Sequence, residues 1–245
     1  MSQSVTLNIF RGEDPATAGE VSYTVPVETG WVVLDAVLAV QAQHAPDLAV
    51  RWNCKAAKCG SCSAEVNGKP ALMCKTRLDD LDLAQPVAVH PLKTFPLVKD
   101  LVTDVSWNYE VNKKIKGFTP AEGTDFTYYQ EDADRVQEFR KCIECFLCQD
   151  VCQVLRNHDA HDRFYGPRFF VRLAGLEMHP LDTADRAKDI DHEAGVFLCN
   201  INKCCTTVCP EDIHITDNAI IPLKERVIDQ TFDPVQKIIS KLLGK

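Results

Sequence analysis

The stretch that decides the fold runs from Arg51 to Cys74, RWNCKAAKCGSCSAEVNGKPALMC. Cys54, Cys59 and Cys62 follow C-x4-C-x2-C, and Cys74 lies a short way beyond. Four thiolates at this spacing suit a [2Fe–2S] centre, where each of two irons takes two sulfurs. A loop that wraps a cluster closely needs small side chains, and Ala56, Ala57, Gly60, Ser61 and Ser63 supply them. Its backbone N–H groups can then donate to the cluster sulfurs and tune the potential. Zinc is the competing ligand, but structural zinc usually pairs short C-x2–4-C elements. Between Cys62 and Cys74, Asn67-Gly68 joins two short strand-like segments, the strongest short hairpin signal.

Outward from this stretch, SVTLNIFRGE (4–13) alternates apolar and polar residues and predicts a strand. GEVSYTVPVE (19–28) predicts its hairpin partner. GWVVLDAVLAVQAQH (30–44) has helical spacing at Trp31, Leu34, Val37, Leu38 and Gln41, and PVAVHPL (86–92) predicts a last strand. A strand pair, a helix and further strands resemble the β-grasp fold of plant-type ferredoxins. The expected domain covers residues 1–105.

The pattern then changes. VKDLVTDVSWNYEVNKKIKGF (98–118) predicts a helical connection, TPAEGTDF (119–126) is turn-rich, and DADRVQEFRKC (132–142) returns to helix. Residues 106–130 are expected to be a linker, and 131–245 a helical domain. There CIECFLCQDVC places Cys142, Cys145, Cys148 and Cys152 in C-x2-C-x2-C-x3-C, which fits a cubane cluster and crowds a single zinc. The third group, CNINKCCTTVCP (199–210), puts the same motif on Cys199, Asn202, Cys205 and Cys209 before Pro210, with Cys204 off the pattern.

In two-cluster ferredoxins the fourth cysteine of a run ligates the other cluster. Cys142, Cys145, Cys148 and Cys209 are thus expected to hold a [4Fe–4S] centre. Cys152, Cys199 and Cys205 are left for a second centre with Asn202 at its vacant corner. Three thiolates beside a neutral, hard amide favour [3Fe–4S]. Cys204 is either a swing-in fourth ligand or a buried free thiol; adjacent side chains project in different directions, which favours the free thiol. The fold class is therefore α+β: an N-terminal β-grasp domain and a C-terminal all-α, bacterial two-cluster ferredoxin-like domain.

Elsewhere, FYGPRFFVRLAGLEMHP predicts a helix with Pro167 in its first turn, ending at His179-Pro180. HITDNAIIPLKERVIDQ offers Thr216 as N-cap, with Pro222 starting or kinking the helix. In the tail, Asp233 and Pro234 open a helix whose Val235, Ile238, Ile239, Leu242 and Leu243 form one apolar stripe, for the core or for a partner subunit.

Composition sets the context. The 245 residues carry a net charge of −8, which argues against a nucleic-acid binder. No apolar run is long enough to span a membrane, and the N-terminus shows no signal or transit pattern. Twelve cysteines in three groups of four then point to metal clusters in a reducing, cytoplasmic compartment rather than to disulfides.

Taken together, CKAAKCGSC…C, VKDLVTD, CIECFLCQDVC, DRFYGP and CNINKCCTTVCP resemble the iron–sulfur subunit of succinate dehydrogenase and fumarate reductase along nearly the whole chain. The resemblance implies an electron-transfer subunit of membrane-bound succinate dehydrogenase. Its [2Fe–2S] centre would face the FAD of a flavoprotein subunit, its [4Fe–4S] centre would relay, and its [3Fe–4S] centre would face quinone, menaquinone by expectation, at a membrane-anchor subunit. The chain would sit peripherally on the cytoplasmic face of the bacterial inner membrane. Catalytic residues for the substrate chemistry are not expected here. A quinol:fumarate reductase subunit and a free soluble carrier are the alternatives. Gln153, where many relatives have proline, and Asn200 depart from familiar members beside the quinone end. Arg156, His158, His161 and Arg172 are candidates there for headgroup or anchor contacts, or are simply solvated.

Overall fold

Strand β1 (Gln3–Arg11) pairs antiparallel with β2 (Gly19–Val27) and parallel with β5 (Val87–His90). β5 pairs antiparallel with β3 (Ser63–Val66), and β3 with β4 (Lys69–Leu72), giving the order β2-β1-β5-β3-β4. These elements come from a computed structural model, which describes residues 3–232 and 234. The chain forms two compact units: Met1–Trp107, Ile143–Val151 and Val208–Glu211 make the first, and Asn108–Cys142, Cys152–Thr207 and Asp212–Lys245 the second.

In the first unit the alternation in β1 sends Val5, Leu7 and Ile9 into the core. Thr6 and Asn8, on the other face, meet the hydroxyls of Thr24 and Ser22 across the strand pair. Helix α1 (Val33–Gln43) buries Val33, Leu34, Ala36, Val37 and Val40. The helical stripe read from sequence is displaced: Trp31 and Leu38 are only half-buried, and Gln41 instead donates to the Leu48 carbonyl at 2.8 Å. Each fully buried aliphatic side chain contributes about 1.5–3 kcal/mol, so this face fixes the helix on the sheet. Asn67 (φ 49°) and Gly68 (φ 75°) are both left-handed, as a type I′ hairpin requires.

The predicted helix over 98–118 does not form as such. Strands β6 (Leu97–Lys99) and β7 (Val102–Thr103) make a small hairpin, and only α2 (Ser106–Asn112) is helical. The cause is Asp100, buried at φ 50° in the hairpin turn. Its carboxylate accepts the N–H of Gly12 and of Ala49, both at 2.8 Å, and the Arg11 Nε at 3.0 Å. Two distant segments, at 11–12 and at 49, thus hold one residue in a turn. Asp100→Ala is expected to cost about 2–3 kcal/mol, because two backbone donors and a guanidinium lose a charged acceptor; thermal unfolding measures it.

Among the described residues, the regular elements of the second unit are helical. Helix α3 (Gln130–Arg140) presents Val136 and Phe139, and α6 (Gly166–Glu177) buries Phe169, Phe170, Val171, Leu173 and Ala174. Pro167 lies in the first turn of α6, which stops before His179-Pro180. The short helices α4 (Leu147–Asp150, in the first unit), α5 (Gln153–His158) and α7 (Cys204–Thr207) lie in or beside the cysteine runs. Thr216 is not a helix cap. It is fully buried within a π-helical turn, Ile215–Ile220, that precedes α8 (Ile221–Phe232), and Pro222 sits where the two join. The apolar tail stripe from Val235 to Leu243 lies outside the described residues. Among the described residues no helix is long and apolar enough to cross a membrane.

Candidate iron–sulfur centres

The loop from Cys54 to Cys62 is wound by left-handed residues at Lys55 (φ 53°), Ala57 (φ 55°) and Gly60 (φ 68°). Among the described residues, six of the ten non-glycine residues with positive φ lie in the three cysteine runs: Lys55, Ala57, Glu144, Phe146, Ile201 and Lys203. Such conformations are costly for residues with side chains. Their concentration here has a use, since left-handed turns aim successive N–H groups at one point and form anion-binding nests.

The N–H groups of Ala56 and Lys58 lie 3.3 Å from Cys54 Sγ, and that of Ala57 lies 3.3 Å from Cys74 Sγ. The Ser61 hydroxyl, with backbone N–H groups, lowers the Cys59 thiol to about 6. Cys62 is pushed up to about 12 by burial, with Cys74 and Cys59 close enough to add repulsion. Cys54, Cys59, Cys62 and Cys74 therefore face one another, the outer sulfurs supplied with donors and the inner ones desolvated. The site fits a [2Fe–2S] group, which these four cysteines would hold as thiolates, the buried Cys62 included.

Gly60 also fixes what lies next to this loop. A Cβ there would stand 2.7 Å from the Cys145 Cα and 2.9 Å from both the Cys145 N and the Ile143 carbonyl oxygen. The Ser63 hydroxyl reaches the Gly60 carbonyl at 2.9 Å and the Cys145 carbonyl at 2.8 Å. Behind this contact Phe146 packs edge-on to Phe95. Two lysines hold the segment around Cys209: Lys58 pairs with Glu211 at 3.1 Å, and Lys75 donates to the Pro210 carbonyl at 3.1 Å. Cys145, Cys148 and Cys209 thus share the first unit with the two-iron loop, while Cys142 belongs to the second.

Asp150, between Cys148 and Cys152, is fully buried. It accepts both the N–H (3.1 Å) and the hydroxyl (2.7 Å) of Thr94. Burial, with Glu65 nearby, raises its pKa to about 6. Lys93 sits 3.0 Å from Glu65 and offsets that second charge. Folding raises the Asp150 pKa above its unfolded value near 4, so its favourable contribution is full below about pH 4 and lost as the pH rises through about 6. Asp150→Asn is therefore expected to stabilise the protein by about 1–3 kcal/mol at pH 8 and by much less at pH 5. Melting temperatures at the two pH values test the sign.

The third group lies in the second unit. Burial pushes Cys152 up to about 11 and Cys205 up to about 12, and Cys199 lies close to both. The buried Thr216 hydroxyl sits 3.4 Å from Cys205 Sγ. Lys224 donates to the Cys199 carbonyl at 2.6 Å. Three apolar side chains beside this group are exposed, Phe197 (43%), Leu198 (42%) and Ile201 (40%). Asn202 is exposed as well, and its Oδ1 accepts the Cys204 N–H at 3.2 Å. Cys204 is half-buried, within electrostatic reach of Cys152, Cys199 and Cys205. Sequence reasoning misses Thr216 and Lys224 as supports, since contacts made by long-range packing leave no local pattern. Of the polar candidates, His158 and Arg172 are exposed, Arg156 is half-buried, and His161 pairs with Asp159 at 2.9 Å.

A β-grasp-like sheet with a four-cysteine loop, followed by helical cysteine runs, defines an iron–sulfur electron carrier. Residues 6–110 match the 2Fe-2S iron-sulfur cluster binding domain, and residues 138–213 match the 4Fe-4S dicluster domain. A chain of the Mycobacterium smegmatis Sdh1 complex, solved in the apo form, is 54% identical, with a TM-score of 0.92 over 96% of this chain and 100% of that one. The fumarate reductase iron-sulfur subunit of Mycobacterium tuberculosis is 30% identical over 83% of this chain and 84% of its own length. An iron-sulfur protein of the archaeon Methanococcus maripaludis is 29% identical over 89% of this chain. This chain spans only 43% of that protein, and 44% of a fumarate reductase (CoM/CoB) chain from Methanothermobacter marburgensis. The chain belongs to the family of succinate dehydrogenase and fumarate reductase iron–sulfur subunits. It carries a [2Fe–2S] centre and a dicluster domain on an α+β, two-domain ferredoxin-like fold.

Proposed function

We propose that this chain is the electron-transfer subunit of a membrane-bound succinate dehydrogenase. Cys54, Cys59, Cys62 and Cys74 hold [2Fe–2S]; Cys142, Cys145, Cys148 and Cys209 hold [4Fe–4S]; Cys152, Cys199 and Cys205 hold [3Fe–4S]. The observation that carries this reading is the Gly60–Cys145 contact, which leaves no room for a side chain between the two-iron loop and the four-iron run. When bound, the clusters accept and release single electrons, which lets a flavin's electron pair be passed on one at a time.

The chain's own groups hold and insulate. The N–H groups of Ala56, Ala57 and Lys58 and the Ser61 hydroxyl stabilise thiolate charge at the first centre. The Thr216 hydroxyl does so at the third. Desolvation around Cys152 and Cys205 keeps water from the terminal centre. The partners are an FAD-containing flavoprotein subunit and a membrane-anchor subunit, with quinone, menaquinone by expectation, reduced near the third centre. The exposed Phe197, Leu198 and Ile201 supply an apolar border suited to that end. The complex sits on the cytoplasmic face of the bacterial membrane.

Co-purification from the native membrane, followed by low-temperature EPR and paired assays of succinate oxidation and fumarate reduction, tests this. Succinate is expected to reduce the clusters and the quinone. Faster fumarate reduction with quinol would assign the opposite direction. A stable monomer that never co-purifies with flavoprotein or anchor would make it a free carrier and overturn the reading.

A further inference from the structure

Four thiols, not three, converge at the third centre. Cys204 precedes Cys205 at the start of α7, and Cys152, Cys199 and Cys205 all lie within its electrostatic reach. The backbone N–H groups of Gln153 and Cys205 are directed at the Cys204 sulfur, which places it against the chain that follows Cys152. Asn202, which occupies the motif's missing-cysteine slot, is turned elsewhere: it is exposed, and its Oδ1 is taken by the Cys204 N–H at 3.2 Å. Ile201 (φ 59°) and Lys203 (φ 61°), left-handed on either side of Asn202, wind the loop into this shape. Cys204 therefore offers a soft donor beside the three ligand thiols, and ferrous iron bound to sulfide prefers a thiolate to an amide.

We propose that Cys204 is a reserve ligand that captures a fourth, ferrous iron at the open corner of the centre held by Cys152, Cys199 and Cys205. The inference rests on the ligand assignment above. In the capture step the Cys204 thiol releases one proton and its sulfur bonds to one Fe2+. The three existing irons keep their thiolates, and no electron moves. A one-electron reductant must first reduce the three-iron core, and dithionite supplies that electron in the experiment. The terminal centre would then respond to iron supply, with Cys204 deciding whether a three-iron or a four-iron group stands at the end of the relay.

The test uses the complete membrane complex, oxidised, then reduced with dithionite, incubated anaerobically with 57Fe2+, freed of excess iron and reoxidised mildly. The expected result is loss of the three-iron EPR signal, uptake of about one further iron per chain with a four-iron Mössbauer spectrum, and protection of Cys204 from iodoacetamide in peptide mass mapping. Cys204→Ala is expected to keep the three-iron signal through the same treatment. Equal loss of signal in Cys204→Ala, or undiminished alkylation of Cys204 in the iron-treated parent, would overturn the proposal. The alkylation readout needs no variant, so a folding defect in Cys204→Ala cannot mask the answer. Absence of any three-iron signal before iron is added would overturn the ligand assignment together with this inference. A signal present and unmoved by iron would overturn this inference alone.

Discussion

Gly60→Ala is expected to lower the melting temperature by about 5–10 °C and to uncouple the two-iron centre from the four-iron run. Two costs add. A left-handed φ of 68° is open to glycine but costs alanine about 1 kcal/mol. The added methyl would also stand within 2.9 Å of three backbone atoms of Ile143 and Cys145. Backbone cannot rotate aside as a side chain does, so the loop or the run must shift, at about 1–3 kcal/mol. The four thiols of the first centre lie outside this clash, so the two-iron EPR signal should keep its intensity while its reoxidation through the four-iron centre slows. Ser63→Ala provides a graded comparison. It removes the hydroxyl that holds the Gly60 and Cys145 carbonyls, costs about 1 kcal/mol, and adds no atom to the contact. If Gly60→Ala left both stability and electron transfer at parental values, the proposed relay contact would be wrong.

What can be read from the sequence follows from where the information lies. β1, β2 and the Asn67-Gly68 turn obey local rules of alternation and backbone sterics, so composition and period are enough. Each cysteine run is local too, because ligands within a run must be spaced to reach one small group, whereas the pairing of one run with another is not. The hairpin at 97–103 reads as helix in the sequence, because the acceptor that folds it, Asp100, is satisfied by Arg11, Gly12 and Ala49 far along the chain. Thr216 looks like a cap from its position, yet packing against Thr206 and Cys205 takes its hydroxyl inward. Asn202 and Cys204 show the same limit at the site itself. Spacing says which position lacks a cysteine, and only the fold says which way the neighbouring side chains turn.

Arg186→Met is expected to destabilise the second unit by about 3–5 kcal/mol, because it breaks a buried ion cluster from one side. Arg186 is 1% exposed. It donates to the Glu177 and Asp182 carboxylates, both at 2.8 Å, and to the carbonyls of Lys116 and Gly117 at 2.9 and 2.8 Å. The segment around 117–119 has no helix or strand of its own and is held to the helical unit largely here and through the Thr183 N–H and hydroxyl on the Thr119 carbonyl. Methionine fills similar volume but leaves two desolvated carboxylates; among the described residues Glu177 keeps Arg226 at 3.0 Å, and Asp182 keeps the neutral N–H donors of Thr119 and Ala184. The burden therefore falls on Asp182, and adding Asp182→Asn to Arg186→Met should recover part of the loss, a coupling that a double-mutant cycle measures. The loss should persist in high salt, which screens exposed pairs such as Lys113–Glu110 but not a buried cluster. Hydrogen exchange should report opening of residues 108–142 and 152–207 before the sheet around the first centre. The signal from Cys152, Cys199 and Cys205 should then be lost while the two-iron signal remains, since all three thiols reside in the unit that Arg186 holds together.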